Sequence, residues 1–374
     1  MSLASHGGTL LGAALAAAWV VLALRVVRDR RRAPPLPPPL AELPATTVLL
    51  PVRDEQANLA ECAATLLAQQ GAPALRIIDD GSTDRTPEIL AGLAGREPRL
   101  TALRARPLAT GWGGKVNALS TGLEGVATPW ILLTDADTRH QPELLARAHA
   151  AAAEHRLDAL SLSGRQATDG LGESLLTPAA YALLDRMLGD WRPYARGLGP
   201  TPIANGQYFL LRTEALRAIG GFAAIAGDAL DDVALARQLH AQGFKVGFRR
   251  AGDALTVRMY SGARATFRGW RRNFALFVAA RPAAAAAAIA LPLATLALLV
   301  AAMARRDVPA LAVCWLGGTA ASAATRKSSG TNPFTGAFFP LDVLLLAATL
   351  GLATLDRFRG KAASWRGREI RIQR

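Results

Sequence analysis

The chain has 374 residues, a formal net charge of +14, 51% hydrophobic residues and only 19% charged residues. A soluble domain usually carries about 25% charged residues, and this composition excludes intrinsic disorder, a collagen-like repeat and a disulfide-rich miniprotein. The two cysteines, Cys62 and Cys314, are far apart in the sequence and indicate neither a disulfide framework nor a cysteine-rich metal site.

The first element is an apolar stretch over residues 7–24 that contains no charged side chain. Five arginines follow it within eight residues, and the positive-inside rule places such a cluster in the cytoplasm, with the amino terminus outside. A cleavable signal peptide fits poorly, because no positive region precedes the apolar stretch. We therefore expect a transmembrane anchor over residues 1–27 and a basic, proline-rich linker over residues 28–45. The prolines within residues 34–39 predict a stiff polyproline II spacer that lifts the next domain off the membrane.

Between residues 46 and 257, apolar strands alternate with helices. Strands are predicted over residues 47–52, 75–79, 100–104 and 130–134, and helices over residues 56–70, 86–95 and 115–122. Strands that are apolar throughout and separated by helices are typical of a parallel sheet covered on both faces. The predicted fold class for residues 46–275 is therefore α/β, with a doubly wound, mostly parallel sheet that binds its ligands beyond the carboxyl ends of the strands.

Acidic pairs directly follow two of the predicted strands. Asp79 and Asp80 end one strand, and Asp135 and Asp137 end another. Either pair alone could be an ordinary strand-ending turn, but two pairs in one domain favour a site. Two carboxylates at a strand end can share a hard divalent cation, Mg²⁺ or Mn²⁺, with the phosphates of a substrate.

Two further segments could contribute to the same site. A glycine-rich loop over residues 111–115 ends in Lys115 at a predicted helix start, an arrangement that suits phosphate. Asp231 and Asp232 also lie at the start of a predicted helix, where they could simply cap its first turn. Alternatively, one of them could accept a proton from an acceptor hydroxyl group.

Three apolar segments follow, over residues 283–303, 308–324 and 337–355. The first has 21 residues without a charge, about 32 Å as a helix, which is enough to span a bilayer. We expect a transmembrane region over residues 276–356 and a basic cytoplasmic tail over residues 357–374. Three crossings would leave that tail outside, so the second or third segment is expected to be re-entrant or interfacial. Because basic clusters lie beside membrane segments, we expect these side chains to contact lipid headgroups, and we expect no nucleic acid partner.

The order of the motifs resembles the family 2 glycosyltransferases with a GT-A fold. The resemblance covers about residues 46–275 and rests on the segments 51–55, 79–82, 111–115, 135–137 and 230–232. Within that family, residues 258–260 and 269–274 are similar to membrane enzymes that glycosylate carotenoid acids or act in hopanoid pathways. The segment 365–368 resembles a closing motif of lipid-glycosylating members. Processive polysaccharide synthases carry QxxRW, whereas residues 268–272 read RGWRR, which argues against processive synthesis.

Carried over residue by residue, the resemblance implies a role for each matching position. The donor would be held by Pro51, Arg53, Glu55, Asp79, Asp80, Lys115, Asp135, Arg271 and Arg272. Asp137, with Asp135, would bind Mg²⁺ or Mn²⁺, and Asp232 would be the catalytic base beside Asp231. The usual Glu-Asp pair of the family is Asp231-Asp232 here, which retains the base and shortens its neighbour.

The expected function is an inverting, metal-dependent transfer of a sugar from a nucleotide-sugar donor, expected to be a UDP-sugar, to a membrane lipid of the carotenoid, hopanoid or glycolipid type. The protein is expected in a bacterial-type inner or cell membrane, multi-pass, with its catalytic domain in the cytoplasm. A polyprenyl-phosphate sugar synthase is the alternative with the same donor chemistry. A non-catalytic, sugar-nucleotide-binding membrane scaffold is the alternative from another class, and the intact acidic residues argue against it.

Overall fold

A computed structural model of the chain describes residues 3–228, 230–280, 282–359, 363–365 and 368–370. The largest sheet has eight strands: β1 (Thr46–Val52), β2 (Ala74–Asp79), β3 (Leu100–Arg104), β4 (Trp130–Thr134), β5 (Thr138–His140), β6 (Ala159–Gln166), β7 (Tyr208–Arg212) and β8 (Val246–Val257). Their spatial order is β3-β2-β1-β4-β7-β6-β8-β5. A separate antiparallel pair is formed by β9 (Ala363–Trp365) and β10 (Arg368–Ile370).

Helices cover both faces of this sheet and extend beyond it. They are α1 (Leu3–Arg32), α2 (Leu59–Leu67), α3 (Thr86–Ala94), α4 (Gly114–Leu123), α5 (Leu144–His155), α6 (Leu171–Leu188), α7 (Trp191–Ala195), α8 (Thr213–Ala218), α9 (Asp231–Ala241), α10 (Ala263–Ala280), α11 (Pro282–Arg305), α12 (Val308–Ser328) and α13 (Phe339–Phe358). Two 3₁₀ helices, Gly221–Ile225 and Pro333–Phe338, lie between them.

The sheet confirms the predicted α/β class, and the pairing of its strands is mixed. The four strands β3, β2, β1 and β4 are parallel, and β7 runs antiparallel to both of its neighbours, β4 and β6. Successive strand residues point to opposite faces, so Leu50 of β1 joins the core under α2 and α5, while Leu49 joins the core under α4 and α9. Two apolar layers therefore hold the sheet, as its unbroken apolar strands predicted.

Helix α2 is shorter than the predicted helix over residues 56–70. The residues before it form a turn in which Asp54 has a positive φ of 52°. The backbone N–H of Glu55 donates to Thr86 Oγ1 at 2.8 Å, and that of Gln56 donates to Asp84 Oδ2 at 3.0 Å. These tertiary hydrogen bonds hold the segment outside the helix, which begins only at Leu59.

The proline-rich segment at residues 34–39 packs against the domain, so the expected spacer does not stand off from it. Leu36 is buried in the core that contains α5. Arg147 on α5 donates to the carbonyl oxygens of Leu36 and Pro37, at 2.8 and 3.1 Å. A polyproline II segment leaves its carbonyl groups unpaired, so a nearby arginine can fasten it to a folded surface.

Within the described residues, four helical segments are long and apolar enough to cross a membrane: Gly7–Arg32, Pro282–Arg305, Val308–Ser328 and Pro333–Phe358. Each contains one of the apolar stretches found in the sequence. Helix α10 runs through the expected domain boundary at residues 275 and 276 without a break. Of the basic tail at residues 357–374, the positions 360–362, 366–367 and 371–374 lie outside the described residues, and with them the centre of the motif at 365–368.

Candidate active site

The acidic pairs predicted from the sequence meet at one edge of the sheet. Strands β1, β2 and β4 run parallel, so the loops that follow them emerge at the same edge. These loops carry Arg53, Asp80 and Asp135, and the start of α9 brings Asp232 to the same place. A cavity of about 2130 Å³ opens there.

Every predicted site residue except Asp79 lines this cavity. The lining residues from the prediction are Pro51, Arg53, Glu55, Asp80, Lys115, Asp135, Asp137, Asp231, Asp232, Arg271 and Arg272. Asp79 instead accepts hydrogen bonds from the backbone N–H and the hydroxyl group of Ser82, the former at 3.1 Å. Its carboxylate therefore closes the turn that follows β2.

Arg53 and Asp80 form one side of the cavity. The Arg53 guanidinium donates to the carbonyl oxygen of Asp80 at 3.2 Å, and its Nη1 lies 3.7 Å from Asp80 Oδ2. Glu55 Oε2 accepts a 2.8 Å hydrogen bond from Asn58 Nδ2. This side offers a cation and carboxylates next to each other, a combination that can bind the base, ribose or phosphates of a nucleotide.

Lys115 joins two of the acidic segments. Its Nζ lies 2.9 Å from Asp135 Oδ1 and 3.3 Å from Asp231 Oδ2. Burial by itself lowers the pKa of this ammonium, but the surrounding carboxylates of Asp135, Asp231 and Asp232 outweigh burial and raise its pKa. Lys115 is therefore held as a cation at the centre of the site.

Asp137 is a buried carboxylate in the same cavity. Its Oδ1 is fully buried and has no hydrogen-bond partner among the residues that the structure describes. Burial, followed by repulsion from Asp135 and Glu55, raises the pKa of Asp137 to about 7. A buried carboxylate oxygen without a partner is costly, so this atom is suited to an added cation.

Asp232 is also buried, but its oxygens are well paired. Oδ2 accepts a 2.7 Å hydrogen bond from the backbone N–H of Gly206, and Oδ1 accepts one of 2.8 Å from Val233 N. Burial and the neighbouring Asp231 raise the pKa of Asp232 to about 6, against the lowering effects of Lys115 and the two N–H groups. A carboxylate with this pKa can accept a proton at neutral pH.

The two predicted arginines of α10 also line this cavity. Arg271 forms a bidentate pair with Asp356 at the end of α13, through Nε at 2.6 Å and Nη2 at 2.7 Å. Arg272 lies beside Asn273 and Tyr260. Both guanidinium groups thus line the cavity, while that of Arg271 is already paired with a carboxylate.

An aromatic wall also lines the cavity. Tyr260, Trp270 and Phe274 lie in motifs found in the sequence, whereas Tyr181 does not. Tyr181 of α6 packs edge-on against Trp270 of α10 with ring centroids 5.4 Å apart, and Tyr260 and Phe274 complete the group. Gln207 donates to Tyr181 Oη at 3.0 Å. Tyr181 is in the middle of a helix without a motif, so no local signal could have found it.

The described residues contain no group of three or more His, Cys, Asp and Glu side chains arranged to hold a metal ion. Asp135 and Asp137 are the pair that the sequence predicted as cation ligands, and the buried Oδ1 of Asp137 fits that prediction. Mg²⁺ and Mn²⁺ are often held by one or two carboxylates together with substrate phosphates, so a pair is sufficient for that mode of binding.

Comparison with known proteins gives relatives over part of the chain. Over 185 residues it is 31% identical to a β-monoglucosyldiacylglycerol synthase of Nostoc sp., which covers 48% of this chain and 38% of that protein. Over 237 residues it is 30% identical to the enzyme of the same name from Synechocystis sp., covering 60% of this chain and 48% of the relative. The matches therefore span less than half the length of these curated relatives.

Among solved structures, the mannosyltransferase PcManGT from Pyrobaculum calidifontis, in complex with GDP-Man and Mn²⁺, superposes with a TM-score of 0.56 at 22% identity. The superposition covers 94% of this chain and 99% of that one, and it confirms the expected GT-A-type fold. Residues 47–220 also match the family model described as glycosyl transferase family 2. The sheet, the ordered acidic motifs and these matches together identify residues 47–220 as a glycosyl transferase family 2 domain.

Proposed function

We propose that the chain transfers a sugar from a nucleotide-sugar donor to a lipid acceptor at a membrane surface. The observation that carries this proposal is a single cavity lined by two chemically different groups of side chains. Lys115 and its carboxylate partners line what we propose as the donor end, and the aromatic wall around Trp270 lines the proposed acceptor end. Trp270 belongs to α10, which leads directly into the candidate membrane helix α11.

The donor end suits a nucleoside diphosphate sugar. Arg53, Glu55 and Asp80 would hold the nucleoside, and Lys115 would approach the diphosphate. Asp137 and Asp135 would hold Mg²⁺ or Mn²⁺, and the unpaired, buried Oδ1 of Asp137 supports this assignment. When bound, the cation would neutralise charge on the departing diphosphate.

The acceptor end suits a membrane-dissolved molecule with a nucleophilic oxygen. Trp270 and Phe274 are almost fully buried, and together with α6 they form an apolar wall close to the candidate membrane helices. The curated relatives named as monoglucosyldiacylglycerol synthases support a glycolipid product. The cavity volume of about 2130 Å³ exceeds the roughly 300–1,000 Å³ of an ordinary ligand pocket, which leaves room for two substrates.

The proposed reaction is an inverting displacement with Asp232 as base. The Asp232 carboxylate accepts the proton of the acceptor hydroxyl group while that oxygen bonds to the anomeric carbon of the sugar. The bond from the anomeric carbon to the diphosphate oxygen breaks, and its electron pair leaves with the nucleoside diphosphate. Lys115, held as a cation by its neighbours, stabilises the charge that develops on the leaving group.

The proposed location is a bacterial-type cell membrane with the catalytic domain in the cytoplasm. The arginines that end α1 support this orientation, because basic residues beside a membrane segment favour the cytoplasmic side.

The direct test is a transferase assay with the full-length chain in phospholipid nanodiscs. UDP- and GDP-sugars labelled in the sugar would be supplied with Mg²⁺ or Mn²⁺, and labelled lipid and released nucleoside diphosphate would be measured. We expect one donor to give both products, and Asp232→Asn to slow their formation by roughly 10²- to 10⁴-fold. Asp253→Asn is the matched control, since that carboxylate is 87% exposed, pairs with Arg165 and does not line the cavity. Donor binding without release of nucleoside diphosphate, with every extracted lipid fraction, would instead indicate a non-catalytic scaffold.

A polyprenyl-phosphate sugar synthase is the second candidate, and Arg272 at the acceptor end favours it because a guanidinium pairs well with phosphate. The lipid product separates the two candidates. A polyprenyl phosphosugar is released by mild acid, whereas a glycoside of a lipid hydroxyl group survives the same treatment.

A further inference from the structure

The packing of three helices defines which of their ends face the catalytic domain. Arg30, near the end of α1, donates to the carbonyl oxygen of Thr325 and to the hydroxyl group of Ser328 at the end of α12, both at 2.7 Å. Gly8, near the start of α1, lies against Asp307, which caps the start of α12. Helices α1 and α12 are therefore parallel, and their ends at Arg30 and Ser328 lie together.

The catalytic domain lies at that same end of the bundle. Arg30 Nε also donates to Asp185 on α6, at 2.6 Å. Helix α11 starts immediately after α10 of the domain and ends at Arg305, next to the start of α12. It therefore runs antiparallel to the other two, and α1, α11 and α12 each extend from the domain side to the far side.

Helix α13 follows a different path. After α12 ends, the 3₁₀ helix Pro333–Phe338 turns back along it, and Trp315 Nε1 of α12 donates to the carbonyl oxygen of Ala337 at 3.0 Å. The ring of Phe339, the first residue of α13, packs edge-on against Trp19 in the middle of α1, with centroids 5.3 Å apart. Helix α13 thus begins inside the bundle, about halfway along its neighbours.

From there α13 runs back towards the domain. Asp342 accepts hydrogen bonds from Ser322 and from Arg326, both at 2.9 Å and both in the last two turns of α12. Arg326 also donates to the carbonyl oxygen of Ser174 on α6 at 2.9 Å. One turn into its length, α13 is therefore already level with the domain end of α12.

The last turn of α13 lies on the domain itself. Asp356 holds Arg271 of α10 in the bidentate pair described above, and both side chains line the active-site cavity. A helix of 20 residues is about 30 Å long, so a crossing helix that left this end of the bundle would finish on the far side. Both ends of α13 instead lie in the half of the bundle nearest the catalytic domain.

We infer that α13 is a re-entrant helix. The chain crosses the bilayer three times, by α1, α11 and α12, and α13 enters the bilayer and leaves it on the side of the catalytic domain. The length and apolar composition of α13 are sufficient for a transmembrane helix, but its contacts place both of its ends in the domain half of the bundle. This topology places Arg359 and the basic residues after it on the catalytic side, and it makes α13 part of the wall that separates the acceptor end of the cavity from the lipid. The inference rests on the proposed membrane embedding.

Single cysteines read by a membrane-impermeant maleimide test this topology in full-length protein, with the buried Cys62 and Cys314 replaced by Ala. Arg85→Cys reports the catalytic domain, Arg305→Cys the far side, and Arg359→Cys the end of α13; all three positions are exposed. We expect Arg359→Cys to be labelled in the vesicle orientation that labels Arg85→Cys and to be protected in the other. Labelling of Arg359→Cys in the vesicle orientation that labels Arg305→Cys would overturn the inference. Equal labelling of Arg85→Cys and Arg305→Cys in sealed vesicles would instead refute the embedding on which it rests.

A second measurement covers the case in which Arg359→Cys is protected in both orientations. In the same background, Arg271→Cys with Asp356→Cys is treated in the membrane with a short bismaleimide cross-linker and analysed for a covalent bond between the two helices. Formation of the bond supports a helix end beside α10. Its absence, when each single variant reacts with the maleimide in detergent, overturns the inference.

Discussion

The backbone N–H of Gly206 donates a 2.7 Å hydrogen bond to Oδ2 of Asp232, and the absence of a side chain at Gly206 leaves room for the cluster around it. A Cβ atom at this position would lie 2.8 Å from Lys115 Nζ, 3.4 Å from Asp135 Oδ2 and 3.7 Å from Asp232 Oδ2. Residue 206 is thus the point at which the lysine and two of the acidic segments approach most closely.

Gly206→Ala is expected to reduce transfer activity with little change in stability. The added methyl group would push the flexible Lys115 ammonium away from Asp135, and a displacement of about 1 Å in an active site can lower turnover on the order of 100-fold. Gly92→Ala is the matched control, because a Cβ atom there meets no neighbour within 4 Å and the position lies inside α3. Turnover and the midpoint of thermal unfolding would be measured for both. Unchanged turnover in Gly206→Ala would contradict the proposed role of Lys115.

The pH dependence of turnover should report Asp232. Its pKa is raised to about 6, chiefly by burial, and only the ionised form can accept a proton. Turnover should therefore fall as the pH is lowered through about 6 and become constant above it. Asp232→Asn should remove this limb together with roughly 10²- to 10⁴-fold of the rate. Rates measured between pH 5 and pH 8 provide the check, and an unaltered acid limb in the residual activity of Asp232→Asn would assign it to another group.

Asp137→Asn should weaken cation binding without lowering the thermal stability of the protein. The variant loses the buried, unpaired carboxylate oxygen, so the metal-free protein should unfold at the same temperature or higher. The affinity for UDP or GDP in the presence of Mn²⁺ should fall by about tenfold or more, equivalent to about 1.4 kcal/mol. Calorimetric titrations with and without Mn²⁺ measure this difference. If Mn²⁺ strengthens nucleotide binding equally in Asp137→Asn and the unaltered chain, the metal assignment is wrong.

Arg30 should be needed to fasten α1 to the catalytic domain. Its side chain and that of Asp185 are only 4% and 8% exposed. Removal of one partner from a buried ion pair costs about 3–5 kcal/mol, and less here, because Arg250 also lies 3.5 Å from Asp185. Arg30→Ala should therefore lower the thermal unfolding midpoint of the protein in detergent. The neighbouring Arg31 is exposed, so Arg31→Ala should leave the midpoint unchanged. Equal midpoints for the two variants would show that the pair does not contribute.

Local pattern was sufficient to predict β1 to β4 and the acidic residues at their ends. An apolar run such as that of β4 reports its own burial, and a carboxylate after a buried strand must lie at the edge of the sheet. The same local information cannot distinguish Asp79 from Asp80. Their different positions depend on Ser82, whose hydroxyl and N–H groups donate hydrogen bonds to the carboxylate of Asp79, while Asp80 lines the cavity.

The sequence by itself determined the α/β class, the apolar segments and most of the residues that line the cavity, because each of these follows from side chains close together in the chain. Tertiary structure decided the rest. The contact of Gly206 with Asp232, the pairing of Arg271 with Asp356 and the return of α13 to the domain all join residues 16 to 85 positions apart. The apolar pattern of a segment indicates that the segment is buried. The element it packs against is determined by the packing of the whole fold.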